Sequence, residues 1–319
     1  MYYIFNNHPR LVRKRYVLTW VLLLLSTALF ADKLGFNFTN NKKQTKIKFK
    51  IIDNLIVMPV SINDKLRVNL ILDTGGRTLV LFGRRFAKKL DVIPNKEVIL
   101  NGYGKMHSRK AELSIGNKVN VADVEGRGIG IIVTSDKNFF PDSNLTNIHG
   151  IIGYSIFSRF VVMIDYNNQE ITLSEPTNFC SDKLSFNQMD LVVKDTKPYI
   201  RASWAHHNYQ KDAFFHIDTG SARELILFMK DGEAQEEFLE ERTWVGKGLN
   251  GIISGYRGVE VDLALRSDDV EKISPYFINR EFSNREITDA AGSIGGGFLK
   301  NYVIIFDYVN EKFYYKKVA

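Results

Sequence analysis

The chain has 319 residues, 45% of them hydrophobic and 25% charged, which is enough apolar material for a sizeable core and excludes disorder as a description of the whole. Its net charge of +7 invites a nucleic-acid role, but four positive charges fall in residues 1–31 and a net five in residues 32–50, leaving residues 51–319 near −2. A basic front end therefore accounts for the charge, and nucleic-acid binding is disfavoured.

At the start, Arg10, Arg13, Lys14 and Arg15 precede the apolar run Tyr16 to Phe30, with the small residues Ser26, Ala28 and Ala31 where a signal peptidase cuts. Residues 1–31 thus read as an export signal. The run is shorter than the roughly 18 residues of a membrane span, so removal is favoured; retention as a membrane anchor is the alternative. Either way the body is expected outside the cytoplasm: periplasmic, secreted or on the outer face of a membrane. Residues 32–50 read as a lysine-rich linker, because Asn37 to Lys50 is polar with few bulky residues before Ile47.

Short Val/Ile runs with 14 Tyr and 22 Phe predict a mainly β body. Leu55 to Val60, a polar turn at Asn63-Asp64-Lys65 and Val68 to Leu72 predict a hairpin that runs into Asp73-Thr74-Gly75-Gly76. A short helix is predicted over Arg84 to Leu90. Asn101-Gly102-Tyr103-Gly104, followed by the strand-like Ala111 to Ile115, predicts the tip of a mobile hairpin. The single cysteine, Cys180, has no internal disulfide partner and is expected as a small buried hydrophobe.

The second half repeats these parts in the same order. Tyr199 to Trp204, a polar turn and Ala213 to Ile217 run into Asp218-Thr219-Gly220-Ser221; Gly246 to Gly251 repeats the glycine-rich tip, and Val259 to Leu265 follows as a strand. A helix is predicted over Ala234 to Glu241. Tyr103 and Gly248 each lie 30 residues past their own Asp. His149-Gly150-Ile151-Ile152-Gly153 through Asp165-Tyr166 aligns without a gap on Ala291-Gly292-Ser293-Ile294-Gly295 through Asp307-Tyr308, at an offset of 142. Two lobes follow, residues 51–180 and 181–319, with Asp165 and Asp307 capping equivalent turns.

A duplicated Asp-Thr-Gly has a chemical meaning that a single one lacks. Two carboxyls brought within a few ångströms cannot both ionise, so one stays protonated; such a pair can both activate a water and protonate the group it attacks. Gly75 and Gly220 let backbone N–H groups turn toward the carboxylates, and the hydroxyls of Thr74 and Thr219 can bond across the two-fold axis. The chemistry needs neither cofactor nor metal. His206 and His207 sit in a predicted turn without a second ligand cluster and read as surface residues.

These motifs resemble the Asp-Thr-Gly aspartic peptidases, including pepsins and retroviral proteases, and more closely the two-lobed bacterial retropepsin-like proteins. In that family a hydrophobic-hydrophobic-Gly segment threads beside each Asp-Thr-Gly loop. Ile151-Ile152-Gly153 matches this, and Ser293-Ile294-Gly295 departs at its first residue. The resemblance spans the chain from about Leu55 onward and implies an all-β bilobal pepsin/retropepsin-like fold. It implies catalytic Asp73 and Asp218, and loop support from Thr74, Gly75, Gly76, Thr219, Gly220 and Ser221. It also implies a flap carrying Gly102, Tyr103 and Gly104, with a second flap at Gly248. The family usually has Ser, Thr or Ala where this chain has Gly76; the missing hydroxyl should leave Asp73 the more readily protonated partner.

The expectation is an aspartic endopeptidase acting on a polypeptide substrate as a monomeric catalytic unit, with membrane association, if any, through the N-terminal segment. The alternatives are an exported peptide-binding or assembly module that keeps the fold with a weak dyad, and an enzyme that only processes itself.

Overall fold

The computed structural model describes residues 34–104, 108–135, 145, 147–181, 185–229, 236–279 and 290–318. The export signal expected at residues 1–31 lies outside them. The described residues form the expected all-β bilobal architecture, built from three sheets.

Each lobe has its own sheet, and the two share a central plan. In the first, the hairpin Leu55–Ile62 and Arg67–Leu72 is paired so that Val57 faces Ile71. Strand Gly150–Ile152 then inserts between Arg67–Leu72, to which it is parallel, and Leu79–Phe82, to which it is antiparallel. In the second, the hairpin Lys197–His206 and Tyr209–Asp218 sets Tyr199 against His216. Strand Ala290–Gly295 inserts between Tyr209–Asp218 and Leu225–Met229 in the same two senses. Strands covered on both faces read as continuous apolar runs, and Leu70, Ile71 and Leu72 are all buried, as are Phe215, His216 and Ile217.

The third sheet takes three strands from each half: Gln44–Lys48, Glu170–Ser174 and Val161–Asp165 from the first, Tyr302–Asp307, Lys312–Lys317 and Asn187–Asp190 from the second. At its centre Val161–Asp165 pairs antiparallel with Tyr302–Asp307, with Met163 opposite Ile305. Those two residues occupy the same place in the repeat, so the strand pairs with its own counterpart and a local two-fold axis passes between them. The turns that follow are also duplicates. Asp165 accepts hydrogen bonds from the backbone N–H and side-chain amide of Asn168, at 2.9 and 2.7 Å, and Asp307 does the same for Asn310, at 3.0 and 2.8 Å.

Four expectations need correction. The linker expected at residues 32–50 is, from Gly35 onward, largely strand: Gly35–Phe38 pairs with Val124–Thr134, and Gln44–Lys48 closes one edge of the shared sheet. The lysines misled because they alternate with buried residues, Thr45 and Ile47 facing inward while Lys46 and Lys48 reach Glu170 on the solvent face at 2.7 and 3.2 Å. Second, Glu236–Phe238 is a single 3-10 turn, and Leu239–Gly248 is a strand rather than the end of a helix. Third, the second glycine-rich tip returns through Gly251–Gly258, with Val261–Arg266 a further strand. The corresponding path in the first lobe is one long strand, Arg109–Val121, whose ladder breaks between Ser114 and Asn117 around Gly116 at φ +83°. Fourth, Cys180 is exposed. The helix predicted over Arg84 to Leu90 forms as Arg84–Lys89.

The N-terminal strands belong to the core. Phe49 is 4% exposed and meets the Tyr166 ring edge-on at 5.9 Å. Phe49→Ala is expected to cost about 3–5 kcal/mol, the usual penalty for emptying a core aromatic site, measured by denaturant unfolding; a residue in a solvated tether would cost almost nothing.

Candidate active site

The two Asp-Thr-Gly loops meet at the ends of the central strands Arg67–Leu72 and Tyr209–Asp218, and their threonines lock together. The Thr74 N–H donates to Thr219 Oγ1 at 3.0 Å, and the Thr219 N–H donates to Thr74 Oγ1 at 3.1 Å. Each hydroxyl then donates onward across the axis, Thr74 to the Ile217 carbonyl at 2.6 Å and Thr219 to the Leu72 carbonyl at 2.7 Å. Both threonines are fully buried, so each of these polar atoms depends on its partner.

This lock brings Asp73 and Asp218 to one place. The Gly75 N–H donates to Asp73 Oδ1 at 2.7 Å, and the Gly220 N–H donates to Asp218 Oδ1 at 3.0 Å. A methyl group built on Gly75 would stand 3.1 Å from Oδ1 of Asp73 and 3.7 Å from Oδ1 of Asp218, so the two carboxyls border the same small volume. On Gly220 it would stand 2.3 Å from the Asp73 carboxyl carbon. Any side chain there would displace the carboxyl, and glycine is required.

Removal from water raises both carboxyls above their ordinary range, and their mutual repulsion adds to the rise at Asp218, which reaches about 7. The order of the two reverses the sequence expectation. Each carboxylate accepts one amide of its own loop, Gly75 at Asp73 and Gly220 at Asp218, while the Gly76 N–H donates to the main-chain carbonyl of Asp73 at 3.0 Å. Ser221 is held near Asp218 through its own N–H, which donates to the Asp218 main-chain carbonyl at 3.2 Å. Asp218, raised further by the repulsion of Asp73, is the better placed of the two to carry a shared proton.

The hairpin tips meet above the pair. The Asn250 N–H donates to the Tyr103 carbonyl at 2.9 Å, and a methyl built on Gly248 or Gly104 would collide with the backbone of the opposite tip, 2.2 Å from the Tyr103 carbonyl oxygen or 2.3 Å from the Asn250 carbonyl carbon. Gly102 lies against the Leu249 side chain. The equal spacing of Tyr103 and Gly248 from their aspartates is thus realised as two tips in direct contact. Burial and the nearby carboxyls push the Tyr103 hydroxyl well above its ordinary range.

All the site residues expected from the sequence converge here. Three more escaped notice: Lys197, Tyr199 and His216. His216 lies two residues before Asp218 on the same strand face, is 1% exposed, and sets Nδ1 3.6 Å from Asp218 Oδ2. Burial holds its ring well below the usual histidine range, so the contact is between a neutral imidazole and a carboxyl. The signal was present, since superposing the repeats puts His216 on Ile71; embedded in an apolar run it looked like core.

Residues 58–156 match the family model described as aspartyl protease. The matched segment contains Asp73, Tyr103 and Ile152-Gly153 but not Asp218, and it supports an aspartic protease family for the chain. No curated protein matches the chain.

The threonine lock yields a direct expectation. Thr219→Ala leaves the Thr74 N–H and the Leu72 carbonyl without buried partners and is expected to destabilise by about 1–3 kcal/mol per orphaned group. Thr219→Ser should restore most of it; thermal melts of the two variants compare them.

Proposed function

We propose that this protein is an aspartic endopeptidase that hydrolyses peptide bonds with one water held between Asp73 and Asp218. One observation carries the reading: two carboxyls from duplicated loops border a common volume, each held by the N–H of its own Gly75 or Gly220 and each raised by burial. The ionised Asp73 takes a proton from water as it attacks the scissile carbonyl, and the protonated Asp218 gives its proton to the carbonyl oxygen, so that the tetrahedral intermediate forms without separated charge. Proton return to the amine releases the two products.

The cleft and its two hairpins suit an extended polypeptide, whose backbone would pair with flap strands while its side chains enter pockets of each lobe. The tips must part for it to enter, which breaks the Asn250 to Tyr103 and Arg109 to Leu249 hydrogen bonds and the tip packing. The basic-then-apolar leader supports an exported enzyme meeting its substrates outside the cytoplasm. Among the described residues no helix is long and apolar enough to cross a membrane.

Asp73→Asn and Asp218→Asn should each lower kcat by at least about 10²–10⁴-fold, the scale of a lost general acid or base, with peptide binding retained. Unchanged cleavage in either variant would defeat the proposal. Activity should also follow a bell in pH. It falls as pH rises through about 7, where Asp218 loses the proton it must donate, and falls again in acid as Asp73 becomes protonated. A pH–rate profile that is flat between pH 5 and pH 9 would contradict this assignment.

A further inference from the structure

The two lobes share a backbone plan but differ in the side chains beneath their aspartates. Strand register matches Val57–Ile71 of the first lobe with Tyr199–His216 of the second. Alternation along the strand extends the comparison to Leu55 and Lys197, two residues earlier on the same face. Leu55, Val57 and Ile71 are buried in a wholly apolar cluster. Their counterparts are a cation, a phenol and an imidazole.

The second-lobe trio is polar, and its imidazole is unsatisfied. Neither ring nitrogen of His216 has a hydrogen-bond partner, although the ring is buried and lies 5.5 Å from the Tyr199 ring. Lys197 forms no ion pair among the described residues; its ammonium lies 5.7 Å from the centre of the Tyr103 ring. Its positive charge is felt at Asp73, Asp218 and His216. Burying an imidazole without partners is costly unless something completes it. Each flap tip reaches the opposite lobe. Leu249, from the second tip, packs on the apolar cluster of the first lobe, whereas Tyr103, from the first tip, packs on Ile226, Val245, Ile253 and Ile278 and also lies beside Lys197.

We propose that Lys197, Tyr199 and His216 form a side-chain pocket selective for a carboxylate, so that the peptides cut carry an acidic residue on one side of the scissile bond and an aliphatic one on the other. The ammonium supplies the charge, and the imidazole and phenol supply directed hydrogen bonds. The first-lobe pocket of Leu55, Val57 and Ile71 takes the aliphatic partner. This proposal names the substrate class of the site described above and rests on the peptidase reading.

The test uses the full chain and pairs of fluorogenic peptides differing only by Glu or Leu at each of the two positions flanking the cut. The wild type should favour Glu at one of them, and Lys197→Leu should lower kcat/KM for that peptide by about 10–100-fold more than for its Leu counterpart, the worth of a charge-assisted hydrogen bond. Lys197→Arg should keep the preference, and Lys197→Glu should transfer it to a Lys-bearing peptide. Circular dichroism establishes that each variant is folded. Wild-type cleavage without an acidic preference overturns the pocket and leaves the peptidase intact. So does a Lys197→Leu variant that slows all peptides equally with a shifted pH profile, because the lysine would then act on the dyad. Should the wild type cut none of the peptides, the peptidase reading fails, and fluorescence anisotropy with the same peptides decides the pocket. Tighter binding of the Glu peptide that is lost in Lys197→Leu sustains it; equal binding overturns it.

Discussion

The molecule depends on four hydrogen bonds made by two threonines. Thr74 and Thr219 each take an N–H from the other loop and give a hydroxyl proton to a carbonyl of the other strand. Each bond contributes only about 1 kcal/mol net, yet any one left open would strand a buried polar atom. The network therefore fixes position more than it adds stability. Neighbouring carboxyls repel, and the energy of that repulsion changes steeply with separation; only a rigid mount keeps the pair at a distance where one proton is shared.

Around that mount, symmetry and asymmetry divide the tasks. Strand order at the centre of each lobe, the turns capped by Asp165 and Asp307, and the pairing of Met163 with Ile305 all follow the two-fold relation. The departures gather at the chemistry. Asp218 is raised further than Asp73, the strand residues beneath the pair are aliphatic in one lobe and include Lys197, Tyr199 and His216 in the other, and the two tips present a phenol and an isobutyl group. A symmetric pair would hold its proton on either side equally, and these differences remove that equivalence.

Much of this was legible in the sequence because a repeat constrains what a single motif cannot. Two Asp-Thr-Gly segments at matched distances from two Ile-Gly segments pointed to a dyad and to two flaps, and both pairs of elements meet. What was hidden followed from physical ambiguities. Lysines alternating with Thr45 and Ile47 look like a solvated tether until a partner strand exists to bury the other face. His216 hid inside an apolar strand, since a buried imidazole and a buried isoleucine fill similar space. The tip at Leu249 and Asn250 was placed correctly, but its return strand was not, because glycines between Gly251 and Gly258 obscure the alternation that marks a strand.

The seam of the shared sheet has a consequence for the chain's two halves. Val161–Asp165 meets Tyr302–Asp307 in a register centred on the equivalent pair Met163 and Ile305, with the flanking positions exchanged across the local two-fold axis, so the first half already carries an edge complementary to a second copy of itself. Severed between Ser174 and Asn187, it would expose that edge as raw backbone donors and acceptors with a ready template in any identical fragment. The covalent connection thus does more than link two lobes: it favours the unlike pairing over the like one by keeping the right neighbour always within reach.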